Sequence, residues 1–184
     1  MLQIKIDDDV SLRLFHINDV DELHSLIVES QDSLRPWLNW VDVNVRDKSN
    51  VERFIKSGLE KFASSGGYPE SFAIIYKNQL AGSISYNEFI QENHCFSIGY
   101  WLATKYHGKG VMTKSVKALI DMAFNEFSMN RAEIRAAPAN SKSRAVPERL
   151  GFTQEGVIRQ FEYVNGYYLD HVVYGLLKSD LEKK

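Results

Sequence analysis

The stretch of this sequence best suited to chemistry is residues 105–113, which read Lys-Tyr-His-Gly-Lys-Gly-Val-Met-Thr. An apolar, β-rich run precedes it, and apolar residues recur at helical spacing from Val111 to Phe127. A strand, a turn with two glycines and a helix place free main-chain N–H groups at a helix start, where the helix dipole favours phosphate. Gly108 and Gly110 suit close approach of a ligand, because a Cβ would obstruct it. Taken alone, these residues still favour an ordinary strand-to-helix connection.

Two better-known phosphate loops do not fit this stretch. The Walker spacing, Gly-x-x-x-x-Gly-Lys followed by Ser or Thr, does not occur in the chain. A dinucleotide fingerprint needs a third glycine where Thr113 stands. It also opens a unit of parallel strands, whereas the region before residue 105 resembles antiparallel hairpins. Neither class of nucleotide-binding protein is therefore predicted.

Composition indicates one globular domain over residues 1–184, long enough to bury roughly 70% of its unfolded surface. The formal charge of −2 gives no excess of positive charge with which to bind nucleic acid or an anionic membrane, so we expect neither as a direct partner. The lone Cys95 excludes an internal disulfide and favours a reducing compartment. The chain lacks a signal-peptide start and an apolar run of ~20 residues, so we expect a cytoplasmic protein.

The hydrophobic pattern alternates between strands and helices. Strands are predicted over residues 3–6, 11–15, 71–76, 80–89, 94–102, 132–137, 153–163 and 168–177. Helices are predicted from a cap at Asn18, from Ser49 or Asn50 to a stop at Gly66-Gly67, over 111–127 and over 141–150. Polar turns at 77–79 and 165–166 predict hairpins. The aromatic segment 34–40, broken by Pro36, fits either a core patch beneath a loop or a substrate-facing lid.

A second cluster accompanies the short helix at 141–150. Asn140 or Ser141 can cap this helix, and Gly151 can take the left-handed turn after it, so local structure alone requires no ligand. The combination is more specific. A strand, an x-x-Gly-x-Gly loop, a helix, a strand, then Asn140-x-x-Ser143 and Leu-Gly-Phe at 150–152 resembles the GNAT superfamily of acetyl-CoA-dependent N-acetyltransferases over nearly the whole chain.

Within that superfamily the chain is most similar to the RimL-type protein N-terminal acetyltransferases. The supporting residues are Ile98-Gly-Tyr-Trp-Leu102, Asn130-Arg131, Asn140-x-x-Ser143, Leu150-Gly-Phe152, Glu155-Gly156, Glu162-Tyr-Val-Asn-Gly166 and Asp170. The resemblance implies a mixed α/β (α+β) GNAT fold, with a central, mostly antiparallel, twisted sheet of about seven strands. This sheet would be splayed at the acetyl-CoA site and flanked by helices.

The resemblance also implies where acetyl-CoA binds. Main-chain amides of the glycine loop would hold the CoA pyrophosphate, and the strand before it would pair with the pantetheine arm. The implied cofactor-binding residues are Tyr100, Trp101, Leu102, Lys105, Tyr106, His107, Gly108, Lys109, Gly110, Val111, Asn140 and Ser143. Lys105 replaces the family's arginine or glutamine, which keeps the positive charge but loses the planar hydrogen-bonding fork. For Asn140, helix capping is an equal alternative.

The proton-transfer roles rest on the same resemblance. Many superfamily members use a tyrosine acid where this chain has Pro147, so the acid is assigned to Ser143, as in RimL-type enzymes. Glu162 matches the family's base, and without the resemblance it reads as an ordinary surface glutamate. Glu88 is the rival base. A strand N–H near Tyr100 or Trp101 could polarise the thioester oxygen.

The predicted reaction is direct acetyl transfer, in a ternary complex, to a primary amine. A protein N-terminal α-amine is favoured, with ribosomal proteins as expected acceptors. The alternatives are a small amine such as a polyamine or aminoglycoside, and a non-catalytic acyl-CoA-binding module. The scattered histidines lack metal-ligand spacing, so we predict no metal. Cys95 is most simply a small strand residue, and the resemblance together with Trp37 and Trp40 suggests a homodimer.

Overall fold

The computed structural model describes residues 3–65 and 69–181. Eight strands form one open sheet, flanked by helices, in the order β1-β2-β3-β4-β5-β6-β8-β7. The strands are β1 Gln3–Lys5, β2 Val10–Arg13, β3 Ser71–Tyr76, β4 Gln79–Ile90, β5 Cys95–Leu102, β6 Arg131–Ala136, β7 Thr153–Val164 and β8 Tyr167–Leu177. The helices are α1 Val20–Leu34, α2 Val41–Arg46, α3 Ser49–Ser64, α4 Val111–Glu126, α5 Ser141–Leu150 and α6 Lys178–Leu181. The predicted helix stop at Gly66-Gly67 lies outside the described residues.

Strand pairing confirms the mostly antiparallel sheet. β5 and β6 pair in parallel, whereas β1–β2, β2–β3, β3–β4, β6–β8 and β7–β8 are antiparallel. The sheet has eight strands, as many as the segments predicted from the hydrophobic pattern, where the family resemblance implied about seven. Among the described residues no helix has the length and apolar character needed to span a membrane.

The chain forms two compact units, which divide after Ser85, Gly99 and Val111. The first contains residues up to 85 together with 100–111, and its buried side chains include Leu12, Phe72 and Ile74. The second contains 86–99 and the residues from 112 onward. Its core is aromatic: the rings of Tyr86, Phe89, Phe96 and Phe124 meet mainly edge to face.

Three helix features differ from the sequence prediction: the cap of the first turn, the cap of α3, which is Lys48 rather than Ser49 or Asn50, and the presence of α2. His16, not Asn18, caps the first turn, since its Nδ1 accepts from the Asn18 N–H at 3.1 Å. The reason is tertiary: the buried Asp19 carboxylate is held by Arg13 at 2.6 and 2.9 Å and by the His16 N–H at 2.7 Å. The short helix α2 within the segment after Trp40 was not predicted.

Both predicted hairpin turns are confirmed as two-residue turns. Lys77 and Asn78 have φ of 49° and 63°, and Asn165 and Gly166 have 49° and 94°. Positive φ at both central residues is the signature of the turn whose twist matches that of paired strands. These turns fix the register of β3 with β4 and of β7 with β8 near their tips.

Gly82 lets two strands of the first unit approach closely. A Cβ at Gly82 would lie 2.9 Å from the Leu102 Cα and even closer to the Trp101 carbonyl oxygen. Beside this contact the Ala103 N–H donates to the Ala81 carbonyl at 2.8 Å. The end of β5, which leads into the glycine loop, therefore depends on the missing side chain.

We expect Gly82→Ala to lower the free energy of unfolding by about 1–3 kcal/mol, because the added methyl meets main-chain atoms that cannot rotate away. Urea denaturation of the purified variant measures this. Gly156→Ala is the matched control, since a Cβ there meets nothing within 4 Å. Equal unfolding midpoints for the two variants would contradict the close approach.

Candidate active site

The glycine loop is open on one side. A turn of 3-10 helix, Thr104–Tyr106, leads from β5 through residues 107–110 to the start of α4 at Val111. Gly108 and Gly110 have φ of +74° and +73°, and a Cβ built at either would meet nothing within 4 Å. Within the described residues, no acceptor is found for the main-chain N–H groups of residues 108–110. Free N–H donors beside open space at a helix start suit a diphosphate.

Two side chains anchor this loop to the first unit. The His107 Nε2 lies 2.9 Å from the Leu102 carbonyl oxygen, at the end of β5. Tyr106 is buried, and its hydroxyl donates to the Gln79 Oε1 at 3.0 Å. Both side chains are thus engaged with the protein, so they hold the loop in place rather than extend towards open solvent. The imidazole Nδ1 of His107 is buried and has no hydrogen-bond partner among the described residues.

The charge of Lys105 is partly compensated. Its Nζ lies 3.0 Å from the Glu29 Oε2, and this hydrogen bond raises the pKa of the lysine. The Lys109 Nζ lies 5.6 Å from the ring centroids of both Tyr76 and Tyr106. Both ammonium groups lie next to the glycine loop. In the described part of the chain Lys105 forms an ion pair with a carboxylate, whereas Lys109 does not. An incoming anion must therefore compete with Glu29 for this lysine.

The predicted pantetheine strand ends with Tyr100, Trp101 and Leu102. Leu102 is buried, whereas Tyr100 and Trp101 are half-buried. The Trp101 ring lies 5.9 Å from the ring of Trp40, centroid to centroid. The aromatic segment singled out from the sequence therefore packs, through Trp40, against the strand predicted to line the cofactor.

In the second unit Asn140 caps α5. Its Oδ1 accepts from the Ser143 N–H at 3.2 Å, which is the capping alternative considered from the sequence. An amide group also carries two N–H donors, so capping does not exclude a ligand contact. Pro147 is the seventh residue of α5. It therefore lies one turn beyond the first turn, which is where a helix tolerates proline. It has no N–H for the carbonyl of Ser143, four residues earlier.

Glu162 occupies an unusual position on β7. The residues of this strand from Thr153 to Phe161 are all exposed, as is Tyr163, but Glu162 is half-buried. Burial raises the pKa of its carboxyl group. The nearest partner of the carboxylate is His171, whose Nε2 lies 3.3 Å from Oε2. A carboxylate with a raised pKa and no ion-paired arginine or lysine is suited to accept a proton.

The rival base, Glu88, is differently placed. Its Oε2 accepts from the Ser97 hydroxyl at 3.2 Å and from the Arg135 guanidinium at 3.2 Å. Arg135 also binds Glu133 on its own strand. Because the same carboxylate oxygen already receives two protein donors, Glu88 is the poorer proton acceptor. The geometry favours Glu162.

Three side chains at these positions were not singled out from the sequence as site residues. The Glu29 carboxylate forms an ion pair with Lys105, and the Arg135 guanidinium forms one with Glu88. The His171 imidazole contacts the Glu162 carboxylate. The first two pairs join residues far apart in the chain, and no local pattern marks them. The third could have been found, because the turn at 165–166 sets β8 against β7 and brings His171 diagonally close to Glu162.

An open mixed sheet with a glycine loop at a helix start is the arrangement expected of a CoA-dependent acyltransferase. The profile of the acetyltransferase (GNAT) domain family matches residues 9–153. YdaF of Bacillus subtilis (strain 168), whose name as a ribosomal N-acetyltransferase is itself provisional, is 37% identical over 182 residues, covering 99% of this chain and 98% of that protein. This chain therefore belongs to the GNAT acetyltransferase family, whose acetyl donor is acetyl-CoA.

Two solved structures are also similar to the chain. One is RimL, the ribosomal L7/L12 α-N-protein acetyltransferase, in complex with CoA. Its TM-score is 0.88 at 28% identity, with coverage of 96% of this chain and 98% of RimL. The other is MccE, the microcin C7 self-immunity acetyltransferase, in complex with acetyl-CoA and AMP. Its TM-score is 0.87 at 28% identity, covering 95% of each chain. They confirm the predicted fold and family resemblance.

Removing the carboxylate of Glu29 should strengthen cofactor binding. We expect Glu29→Gln to lower the Kd for CoA about two- to fivefold at low salt, since an exposed ion pair of this kind contributes up to about 1 kcal/mol. Titration calorimetry measures the change, and the gain should shrink at high ionic strength. The control is the double variant Glu29→Gln with Lys105→Gln, which should bind CoA no more tightly than Lys105→Gln alone. Equal affinity in Glu29→Gln and the unmodified protein would contradict competition for Lys105.

Proposed function

We propose that this chain transfers the acetyl group of acetyl-CoA directly, in a ternary complex, to the N-terminal α-amine of a protein, with ribosomal proteins as the expected acceptors. The observation that carries the proposal is the half-buried Glu162, the one member of residues 153–163 of β7 that is shielded from solvent. The names of YdaF and RimL support this acceptor class.

An α-amine suits a single carboxylate base. At pH 7, deprotonating an α-amine of pKa ≈ 7.8 costs about 1 kcal/mol, whereas a lysine of pKa ≈ 10.4 costs about 4.6 kcal/mol. Glu162 accepts this proton, directly or through one water molecule, and the amine is then a nucleophile. The raised pKa of Glu162 makes it a stronger base than an exposed glutamate once it is ionised.

The remaining roles follow from the positions of the other residues. The main-chain N–H groups of residues 108–110 bind the diphosphate, and Lys105 and Lys109 add positive charge beside it. Main-chain N–H groups at Tyr100 or Trp101 polarise the acyl oxygen. Ser143 gives its hydroxyl proton to the departing sulfur and regains a proton from solvent, and Asn140 positions Ser143 through its cap. Bound acetyl-CoA supplies the acyl group as a thioester.

The pH dependence follows from the direction of the Glu162 shift. Its pKa in the folded protein lies above the ordinary value for glutamate, so the protonated, inactive form persists to a higher pH. Activity should therefore fall as pH decreases through this raised pKa, in addition to the protonation of the acceptor amine. For the same reason Glu162→Gln should not destabilise the fold at neutral pH, because burial disfavours the charged form that it removes.

A small-molecule acceptor is the second candidate. The structure of MccE, an immunity acetyltransferase, is as similar in fold as that of RimL and contains AMP beside acetyl-CoA. A GNAT chain of this shape therefore accommodates ligands other than a peptide. Screening small amines alongside peptides separates the two candidates.

Further predictions from the sequence belong to this proposal. We propose that residues 1–184 act as a single acetyltransferase domain in the cytoplasm, where the proposed acceptors are made. We also propose a homodimer. Large apolar side chains exposed on β7 and β8, including Val157, Phe161 and Tyr167, provide surface that a second copy would cover. Light scattering of the purified protein tests the dimer.

The catalytic assignment is tested with acetyl-CoA and a panel of peptides that differ in their first residue. We expect Glu162→Gln to lower kcat/KM by about 10²–10⁴ while the Kd for CoA is unchanged, since general-base catalysis contributes that much. Ser143→Ala should cost less, because a thiol of pKa near 8.5 is already a fair leaving group. Mass spectrometry follows the acetylated peptides.

Two controls make this test specific. Glu92→Gln removes an exposed carboxylate from the turn before β5 and should leave the rate unchanged. Glu88→Gln tests the rival base, and a greater loss there than in Glu162→Gln would overturn the base assignment. Turnover unaffected by Glu162→Gln, with CoA still bound, would instead favour an acyl-CoA-binding module.

A further inference from the structure

An irregularity in the last hairpin lies next to Glu162. The register of β7 and β8 pairs Ile158 with His171 and Glu162 with Leu169. Three residues of β7, 159–161, thus lie opposite the single residue Asp170. Gln160 has a φ of 51°, and its N–H donates to the Asp170 Oδ1 at 2.8 Å. This bulge is therefore held in place by a specific side chain.

The register places His171 and Glu162 on the same face of the sheet. Leu169 and His171 are two residues apart on β8 and share a face, and paired residues on neighbouring strands also share a face. Glu162, paired with Leu169, is consequently a diagonal neighbour of His171. The contact agrees: the His171 Nε2 lies 3.3 Å from the Glu162 Oε2.

The surroundings of His171 favour the neutral form of its imidazole. Its side chain is buried, and the Phe161 ring covers it with a centroid distance of 4.8 Å. Burial and the nearby charge of Arg135 both lower the pKa of the imidazole. Its Nδ1 is buried without a hydrogen-bond partner in the described part of the chain. A neutral ring with the proton on Nε2 is the form that can donate to Glu162.

The charged groups around this pair are otherwise occupied. From β6, Arg135 extends to within 5.0 Å of the Phe161 ring centroid, and its guanidinium is bound by Glu133 and by Glu88 of β4. Asp170 of β8 accepts the Gln160 N–H. No arginine or lysine is ion-paired with Glu162 among the described residues, which leaves the imidazole N–H as its polar partner.

We propose that His171 is a positioning residue for the Glu162 base: its Nε2–H holds Oε2 and leaves Oε1 to receive the proton of the acceptor amine. The inference rests on the proposed function of Glu162. A neutral donor suits this role better than a cation, because an adjacent guanidinium would stabilise the carboxylate strongly and weaken it as a base. The 3.3 Å separation of Nε2 and Oε2 is within ion-pair distance, but the two groups are not aligned for a hydrogen bond. Catalytic contacts are often poorly aligned before substrate binds and tighten afterwards.

The contact is tested without any substrate. The Glu162 carboxyl carbon is titrated by NMR in the full chain, in unmodified protein, His171→Leu and His171→Gln. Loss of the donor in His171→Leu should raise the Glu162 pKa by about one pH unit, a tenfold change in proton affinity. His171→Gln retains an N–H donor and should keep the value close to that of the unmodified protein.

A matched variant and a measurement on the unmodified protein serve as controls for the NMR titration. His24→Leu removes another histidine with a buried, unpartnered nitrogen and should leave Glu162 unchanged. If His171→Leu does not fold, the nitrogen-15 shifts of the unmodified imidazole decide. A proton on Nε2 supports the proposal, and a proton on Nδ1 overturns it. An identical Glu162 titration in folded His171→Leu also overturns it.

The kinetic arm separates positioning from a structural role. With a peptide that is acetylated, the acid limb of kcat/KM against pH should move upward in His171→Leu by the same shift as the Glu162 pKa and return in His171→Gln. A purely structural role would lower kcat/KM at every pH without moving the limb, which would overturn the proposal. Failure of every peptide would refute the proposed acceptor, yet the NMR titration would still decide the role of His171.

Discussion

The geometry of the cofactor loop depends on main-chain contact between β4 and β5. Gly82 allows the main chain of β4 to approach Trp101 and Leu102 closely, and the hydrogen bond from Ala103 to Ala81 continues that pairing beyond the strand. His107 then returns to the Leu102 carbonyl. The loop thus begins at the end of β5, and main-chain contacts with β4 set the position of that end. Within the loop, Tyr106 and His107 supply the anchoring side chains, whereas the exposed Lys105 and Lys109 supply its positive charge.

The second unit shows how one sheet gives its carboxylates different properties. Glu155 is bound by Arg131, which lowers its pKa, and Glu88 is bound by Arg135. Glu162 faces a neutral imidazole and an aromatic ring instead, and burial raises its pKa. The same residue type is therefore a structural ion-pair partner at two positions and, in the proposed mechanism, a base at the third. The turn at 165–166 makes the difference, because the register that it sets pairs Glu162 with Leu169 and so brings Glu162 diagonally next to His171.

The sequence could predict what local chemistry controls. The Asn165-Gly166 turn, the alternation of Arg131–Ala136 and the spacing from the loop to α4 each have a short-range cause, and all are found where they were expected. The predicted start of the first helix was wrong, because the ion pair of Arg13 with buried Asp19 determines where the first turn begins. The partner of Lys105 is 76 residues away, so no motif could indicate that its charge is shared with Glu29.

The absence of a tyrosine acid from α5 is consistent with the rest of the site. Pro147 is buried there, and its ring cannot donate a proton or a helical hydrogen bond to the carbonyl of Ser143. The demand for an acid is small, since a thiolate whose conjugate acid has a pKa near 8.5 costs only about 2 kcal/mol to release at pH 7. In the proposed mechanism, Ser143, whose N–H is held by the cap of Asn140, meets this demand. The larger demand falls on the amine, for which the half-buried Glu162 of β7 is the proposed base.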